Sequence, residues 1–445
     1  MKYFGTDGIR GVANEFLTPE VAFKLGRVIG ETIDNKKKII IGKDSRISCD
    51  MLEAAVMVGI TASGGDVYKV GVIPTPAVNY LVKKYNADFG IIISASHNPV
   101  IDNGIKIVDS NGYKISSTLE NKIEEFINDE IDVSRATAGR IGRIYDLKQG
   151  REDYIEYLNN SVNVDSVDFK VVIDCANGAA SAIASEIFTD FVENLTLINY
   201  EPNGLNINDR CGSTDTRELA EVVVDQKANF GIAFDGDADR IILVDNEGEI
   251  IDGDYIIYIL VMKYLEKEKL NNNKIALTTM SNLGVINKLK NDLGVEVITT
   301  DVGDKYVASA LEEHDLVIGG ETSGHIILRD IASGGDGILV ALQVLEYLEE
   351  SGLNLSNVVK SIEKYPSALC NVKVLDKDYS LNHRTVLEEI RRVENILEDT
   401  GRVLVRASGT EQLIRVLVEC EDEQSCNEFC QSIADTIKEL NGKDI

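Results

Sequence analysis

Apolar residues along this chain recur in two alternating patterns. Val21, Leu25, Val28, Ile29 and Ile33 form a helical stripe behind Thr18-Pro19, which reads as an N-cap followed by a proline at the first helical position. A solid apolar run in "KKIIIGKDSR" then predicts a strand over Lys37–Gly42. "CDMLEAAVMVGITASGG" predicts a helix capped by Asp50, with Glu53 three residues on, and closed at Gly64-Gly65. A short strand near Val70 and another over Phe89–Ile93 follow. Strands that alternate with helices of this length predict βαβ units and mixed, mostly parallel sheets. The same texture restarts at "KVVIDCANGAASAIASEIF" and again at "NKIALTTMSNLGVINKLK". Near Tyr365 it changes to the shorter strands "CNVKVLD", "RVLVRASG" and "LIRVLVEC" with two helices. The fold class expected is therefore α/β with four domains: three successive α/β units over 1–150, 151–253 and 254–364, and a C-terminal α+β domain over 365–445.

Length agrees, since 445 residues exceed what one hydrophobic core organises. With 45 basic and 74 acidic residues the net charge is −29, which argues against sequence-independent binding to nucleic acid or to an anionic membrane. Any phosphate must be held by local arginine, lysine and backbone N–H groups. The longest apolar run, Tyr255–Met262, is far short of a membrane span, and the first residues carry Asp7 and Arg10 with no apolar core of a leader. These features, with seven scattered cysteines and no CxxC pair, predict reduced thiols and a cytoplasmic location.

Chemistry concentrates in five short stretches. In "GIAFDGDADRIILVD" an apolar strand delivers Asp235, Asp237 and Asp239 at every second position, an oxygen-only set suited to Mg²⁺. An EF-hand is excluded by Arg240 at its sixth position and Asn246 at its twelfth. A solvated polar turn would leave three carboxylates repelling one another. "VRASGTEQLIRV" gathers Arg406, Ser408, Gly409, Thr410 and Arg415, the donors a phosphate dianion takes. "IGGETSGHI" offers Glu321, Ser323 and His325 to polyol hydroxyls, "GTDGIRG" offers Arg10, and "DNGIK" offers Lys106. In "GIIISASHNPVIDNGIK" a buried-type strand runs into Ser96 and His97, at the strand end where open α/β sheets collect ligands. A serine there, with carboxylates and phosphate-gripping arginines elsewhere in the chain, predicts a covalent phosphoryl carrier. A Ser-His-Asp hydrolase is disfavoured, because adjacent Ser and His point apart in extended chain and no G-x-S-x-G turn exists.

Taken in order, "GTDGIRG", "SASHNP" with "DNGIK", "DGDADR", "GGETSGH" and "RASGTEQLIRV" resemble the α-D-phosphohexomutase superfamily over the full length, most closely its bacterial amino-sugar branch. The resemblance implies four domains around a central cleft. It implies Ser96 as the phosphoserine, with Asp235, Asp237, Asp239 and the serine phosphate holding Mg²⁺. His97 and Arg240 would lie by that phosphate, and Arg10 and Lys106 would transfer protons. Glu321 and Ser323 would grip two sugar hydroxyls, and Arg406, Ser408, Gly409, Thr410 and Arg415 would clamp the other phosphate. It further implies interconversion of glucosamine 6-phosphate and glucosamine 1-phosphate for UDP-N-acetylglucosamine synthesis, a glucosamine or glucose 1,6-bisphosphate activator, and a homodimer. The alternatives are glucose or mannose phosphates as substrates, and an Mg²⁺-dependent phosphatase with an aspartyl nucleophile. Three positions depart from the family pattern: Thr322 for Gln, Gln412 for Pro and Asp215 for His. Gln412 removes a φ restraint beside the phosphate residues, which predicts a looser loop there.

Overall fold

The protein is seen in a computed structural model, which describes residues 2–5, 7–31, 36–408 and 412–442. Strands β1 (Ile9–Val12), β2 (Lys38–Lys43), β3 (Asp66–Val72), β4 (Phe89–Ile93), β5 (Asp102–Asp109) and β6 (Ile144–Asp146) form one sheet in the order β1-β5-β4-β2-β3-β6. β4, β2, β3 and β6 run parallel, and β5 and β1 add antiparallel at one edge. Gly90–Ile93 are buried, as expected where helices cover both faces of a parallel sheet. The register sets Lys106 opposite Ile92 and Arg10 opposite Gly104, so both cations stand beside the end of β4, where Ser96 follows.

The first helix, Pro19–Ile29, starts as its sequence predicts, with the Thr18 side chain accepting from the N–H of Val21. The second, Cys49–Ala62, differs from expectation. Ser48 holds the N-cap position, and Asp50 and Glu53 instead pair with Lys43 at 2.6 and 2.5 Å. Lys43 ends β2 within reach of that helix's first turn, and a full positive charge attracts both carboxylates more strongly than a backbone N–H does.

β7 (Val167–Asp174), β8 (Val192–Ile198), β9 (Phe230–Phe234), β10 (Ile241–Asp245) and β11 (Ile250–Ile251) make a second mixed sheet, ordered β11-β10-β9-β7-β8. β12 (Lys274–Thr278), β13 (Glu296–Thr300), β14 (Ile318–Gly320) and β15 (Ile326–Leu328) make a third, ordered β13-β12-β14-β15. An antiparallel bridge between Arg240 and His325 ties the β9–β10 loop to the β14–β15 turn. The apolar run of Tyr255–Met262 lies in the buried helix Gly253–Glu266. Among the described residues no helix is long and apolar enough to cross a membrane.

Residues 1–280 and 295–360 form one unit, and residues 281–294 and 361–445 form a second. The second unit is an antiparallel sheet of β16 (Ser367–Lys373), β17 (Gly401–Ala407) and β18 (Leu413–Cys420), ordered β16-β18-β17, under helices Arg384–Leu397 and Glu423–Gly442. It includes the helix Leu283–Leu293, held by the Leu283 N–H on Glu419 and by the Asn282 amide on the Tyr365 carbonyl. One cysteine expectation changes here. The end of β18 and the first turn of the last helix bring Cys420 and Cys426 together with Cα atoms 5.7 Å apart, and their sulfurs are paired, while the other five cysteines are free thiols.

Candidate active site

Ser96 has φ +53°, a left-handed conformation that a residue with a Cβ adopts only when its surroundings hold it there. They do so from several elements. Asp44 accepts from Ser94 Oγ at 2.7 Å, and Ser94 Oγ in turn accepts from the Ser96 N–H at 2.9 Å. The guanidinium of Arg46, buried and paired with Asp44 at 3.0 Å, donates to the carbonyls of Ser96 and Asn98 at 2.9 and 2.8 Å and of Pro99 and Asp102 at 2.6 and 3.1 Å. Asn208, from the second sheet's region, adds a 2.8 Å bond to the Ser96 carbonyl. Gly236 lies so close that a Cβ there would sit 2.6 Å from that same oxygen. The loop is thus fixed through its backbone, which leaves the Ser96 hydroxyl to face the site.

That hydroxyl donates to Asp235 Oδ2 at 2.5 Å and lies 3.2 Å from His97 Nδ1. Asp235, Asp237 and Asp239 occupy the loop between β9 and β10, as the alternating spacing predicts, with ligand oxygens within 4.8 Å of one another. All three are buried. Burial and the two neighbouring carboxylates push Asp235 well above the usual carboxylate range. Burial acts on Asp237 in the same sense, yet Lys106 and the Thr75 hydroxyl outweigh it and hold that carboxyl below its ordinary value. Lys106 Nζ lies 3.0 Å from Asp237, 3.1 Å from Asp239 and 3.1 Å from Asp7, so despite its burial it stays a firm cation. Asp7 also pairs with Arg10. The lysine nevertheless leaves Oδ1 of Asp237 and of Asp239 buried with no hydrogen-bond partner among the described residues. Orphaned anionic oxygens at such spacing fit a small hard divalent cation.

Around this floor opens a cavity of about 500 Å³, lined by Arg10, Ser96, His97, Asp239, Arg240, Glu321, Ser323 and His325 among others. Burial and the nearby Arg240 and Arg10 lower His97 to about 4, which keeps it neutral near pH 7. Arg240 Nε is buried without a hydrogen-bond partner among the described residues and sits 4.0 Å from Asp239. Glu321, in the turn after β14, accepts the N–H of Gly303 at 3.0 Å. All the sequence candidates of the first unit therefore meet at one place, Lys106 and the acidic loop below and the sugar-type residues at the wall.

The second unit carries the remaining candidates. Arg406 stands opposite Arg415 in the β17–β18 hairpin, and Ser408 N–H bonds the Leu413 carbonyl at 2.9 Å. Gly409 and Thr410 lie outside the described residues. Lys377, which no motif singled out, donates to the Ser408 carbonyl at 2.8 Å. Gln412 donates through Nε2 to the Leu375 carbonyl at 2.8 Å, a side-chain tether that proline could not make. Back in the first unit, Thr322 turns its hydroxyl to Asp254 at 3.1 Å, and Asp215 pairs with the neighbouring Arg217 at 2.5 Å.

Sequence reasoning missed the residues that hold the site from a distance: Asp44, Arg46, Asn208 and Thr75. Thr75, at the start of the helix Thr75–Lys84, donates its N–H to the Asp237 carbonyl at 3.0 Å and its hydroxyl to Asp237 Oδ2 at 2.5 Å. It thereby sets the direction in which the free Oδ1 points. Supporting bonds of this kind commonly change metal affinity by about 10- to 100-fold. Thr75→Val is expected to weaken divalent-cation binding by about tenfold or more, with Thr75→Ser restoring it. Titration calorimetry with Mg²⁺, or Mn²⁺ resonance spectroscopy, reads this directly; an unchanged affinity in Thr75→Val would assign the hydroxyl to packing alone.

Phosphoglucomutase/phosphomannomutase alpha/beta/alpha domains I, II and III match residues 1–133, 152–248 and 252–365, and the C-terminal domain of the same family matches 369–436. The chain belongs to the phosphoglucomutase/phosphomannomutase family. Among its relatives is a phosphoglucosamine mutase of Caldicellulosiruptor saccharolyticus, 50% identical over 98% of this chain and 99% of that protein. A phosphoglucosamine mutase of Shouchella clausii is 45% identical over 99% of each. Such full-length identity sets the chain among the enzymes of that family, the intramolecular phosphotransferases of the isomerase class. In fold it is similar to a phosphoglucomutase/phosphomannomutase family protein of Burkholderia thailandensis, with a TM-score of 0.82 at 21% identity, covering 98% of this chain and 97% of that one. The Aspergillus fumigatus N-acetylphosphoglucosamine mutase, solved with GlcNAc-6P and magnesium, gives 0.70 at 18% identity over 99% and 96%.

Proposed function

We propose that the protein interconverts glucosamine 6-phosphate and glucosamine 1-phosphate through a phosphoserine at Ser96 and a 1,6-bisphosphate intermediate, within UDP-N-acetylglucosamine synthesis. The observation that carries this reading is the Ser96 hydroxyl, held in a left-handed turn 2.5 Å from Asp235, in one cavity with Arg10, Arg240 and Glu321. In the forward direction the bond from Ser96 Oγ to phosphorus breaks as one forms from the free sugar hydroxyl. The bisphosphate then turns around, and its other phosphoryl group returns to Ser96. Arg10 and Lys106, both cations at rest, move the protons: one gives its proton to Ser96 Oγ as the bond to phosphorus breaks, and the base so formed takes the proton that leaves the sugar hydroxyl. Arg240 and His97 face the serine phosphate, with the unpartnered Arg240 Nε as its donor. Glu321 and Ser323 take two ring hydroxyls. Arg406, Ser408, Gly409, Thr410 and Arg415 take the phosphate that does not react, so one clamp serves both orientations of the ring.

Asp235, Asp237 and Asp239 would hold Mg²⁺. When bound there, the ion offsets the negative charge of the phosphoryl oxygens. Glucosamine or glucose 1,6-bisphosphate would prime Ser96. We place these roles in the cytoplasm, in a homodimer, with the serine, metal, sugar and phosphate loops in 1–150, 151–253, 254–364 and 365–445 respectively.

The test is turnover of glucosamine 6-phosphate beside glucose 6-phosphate and mannose 6-phosphate, with Mg²⁺ and the matching bisphosphate, together with labelling by radioactive sugar bisphosphate. Preference for the amino sugar and acid-stable label on Ser96 are expected. Preference for a neutral hexose would move only the substrate, whereas acid-labile label would mark an aspartyl phosphate and overturn the mechanism.

A further inference from the structure

Four carboxylates line the cavity that holds Ser96: Asp7, Asp239, Asp304 and Glu321. Three of them are engaged. Asp7 pairs with Arg10 and Lys106, Asp239 pairs with Lys106 and belongs to the cation-type cluster, and Glu321 accepts the Gly303 N–H. Asp304, half-buried, has no ion pair or side-chain hydrogen bond with a described residue. It opens the helix Asp304–Glu313, where an acidic side chain is already favoured by the helix dipole. Two features go beyond that capping role. Asp304 also lines a smaller chamber of about 100 Å³ that shares Asp7, Asp239 and His325 with the main cavity, so the residue borders both spaces. The residue before it, Gly303, has φ +131° and is tied through its N–H to Glu321, which fixes Asp304 relative to the residue assigned to the ring hydroxyls.

A hexosamine phosphate differs from a hexose phosphate by an ammonium on carbon 2, next to a hydroxyl on carbon 3. The rest of such a substrate is neutral or anionic, so its ammonium is the group that an uncommitted carboxylate in this wall would recognise. We propose that Asp304 is the specificity-determining residue that pairs with the 2-ammonium group, an inference that rests on the hexosamine phosphate reading above. A neutral hexose places a hydroxyl there instead and forgoes the charge-assisted bond.

The experiment compares kcat/KM for glucosamine 6-phosphate and glucose 6-phosphate in the full-length protein and in Asp304→Asn. Asparagine keeps the shape and is well tolerated at a helix N-terminus. Charge-assisted hydrogen bonds are strong enough that the ratio in favour of the amino sugar is expected to fall by about tenfold or more. A ratio that stays unchanged overturns the proposal, whether both rates hold or fall together, because a residue that merely supports the helix affects both sugars alike. Wild-type protein that prefers the amino sugar while Asp304→Asn keeps the ratio defeats this proposal alone. Wild-type protein that ignores the amino sugar defeats it together with the function on which it rests.

Discussion

Ser96→Ala is expected to abolish mutase turnover, by about 10⁴-fold or more, since removing a covalent nucleophile leaves only binding and electrostatic stabilisation. The expected loss comes from chemistry and not from the fold. Arg46, Asn208 and Ser94 grip the backbone of residues 96–102, and none of their bonds uses the serine hydroxyl. What the alanine loses is the bond to Asp235, worth about 1 kcal/mol net when buried. The left-handed φ of +53° provides an independent check. Alanine keeps the steric cost of that conformation, whereas glycine removes about 1 kcal/mol of it. Ser96→Gly should therefore be as inactive as Ser96→Ala but more stable than it. Coupled turnover and thermal melting of the two variants read both halves. Residual turnover near the wild-type rate in either variant would rule out Ser96 as the phosphoryl carrier.

Asp237→Asn is the second large effect. Asp237 receives Lys106 at 3.0 Å and Thr75 at 2.5 Å on one oxygen and keeps the other buried and unpartnered. The amide is nearly isosteric, yet it removes the charge from the middle of the acidic loop. Turnover is expected to fall by about 10²- to 10³-fold, the scale of losing electrostatic stabilisation at a phosphoryl group. Affinity for Mg²⁺ should fall with it, measured by calorimetry without substrate. The fold persists, because Lys106 retains Asp239 and Asp7 as partners at 3.1 Å each. Chelating the metal from wild-type protein should reproduce the loss, and unchanged turnover after chelation would remove the metal from the scheme.

The strands and turns that carry the chemistry could be read from the chain because each is a local signal. The run of isoleucines into Ser96, the every-second aspartates after β9 and the glycine turns around Glu321 and Arg406 depend on neighbours a few residues away. So does the N-cap at Thr18. Periodicity and turn chemistry act over such distances whatever the rest of the chain does. The second helix marks the boundary of that approach. Its local pattern points to Asp50 as the cap, and Lys43, arriving from β2, takes both carboxylates instead.

The residues that hold the site in place are a different matter. Arg46 reaches the Ser96 carbonyl across 50 positions, Asn208 across 112, and Thr75 reaches Asp237 across 162. In the sequence these are an arginine after a strand, an asparagine in a loop and a threonine between two prolines, with nothing to distinguish them from solvated residues. Asp304 reads as an ordinary first-turn acid. The sequence alone determined which groups the chain carries and on which strand ends and loops they stand. Tertiary structure alone decided that Ser96 is held at positive φ, that Lys106 shares the aspartates and that Asp304 lines the cavity, because long-range partners exist only once the sheets have docked and buried the charges together.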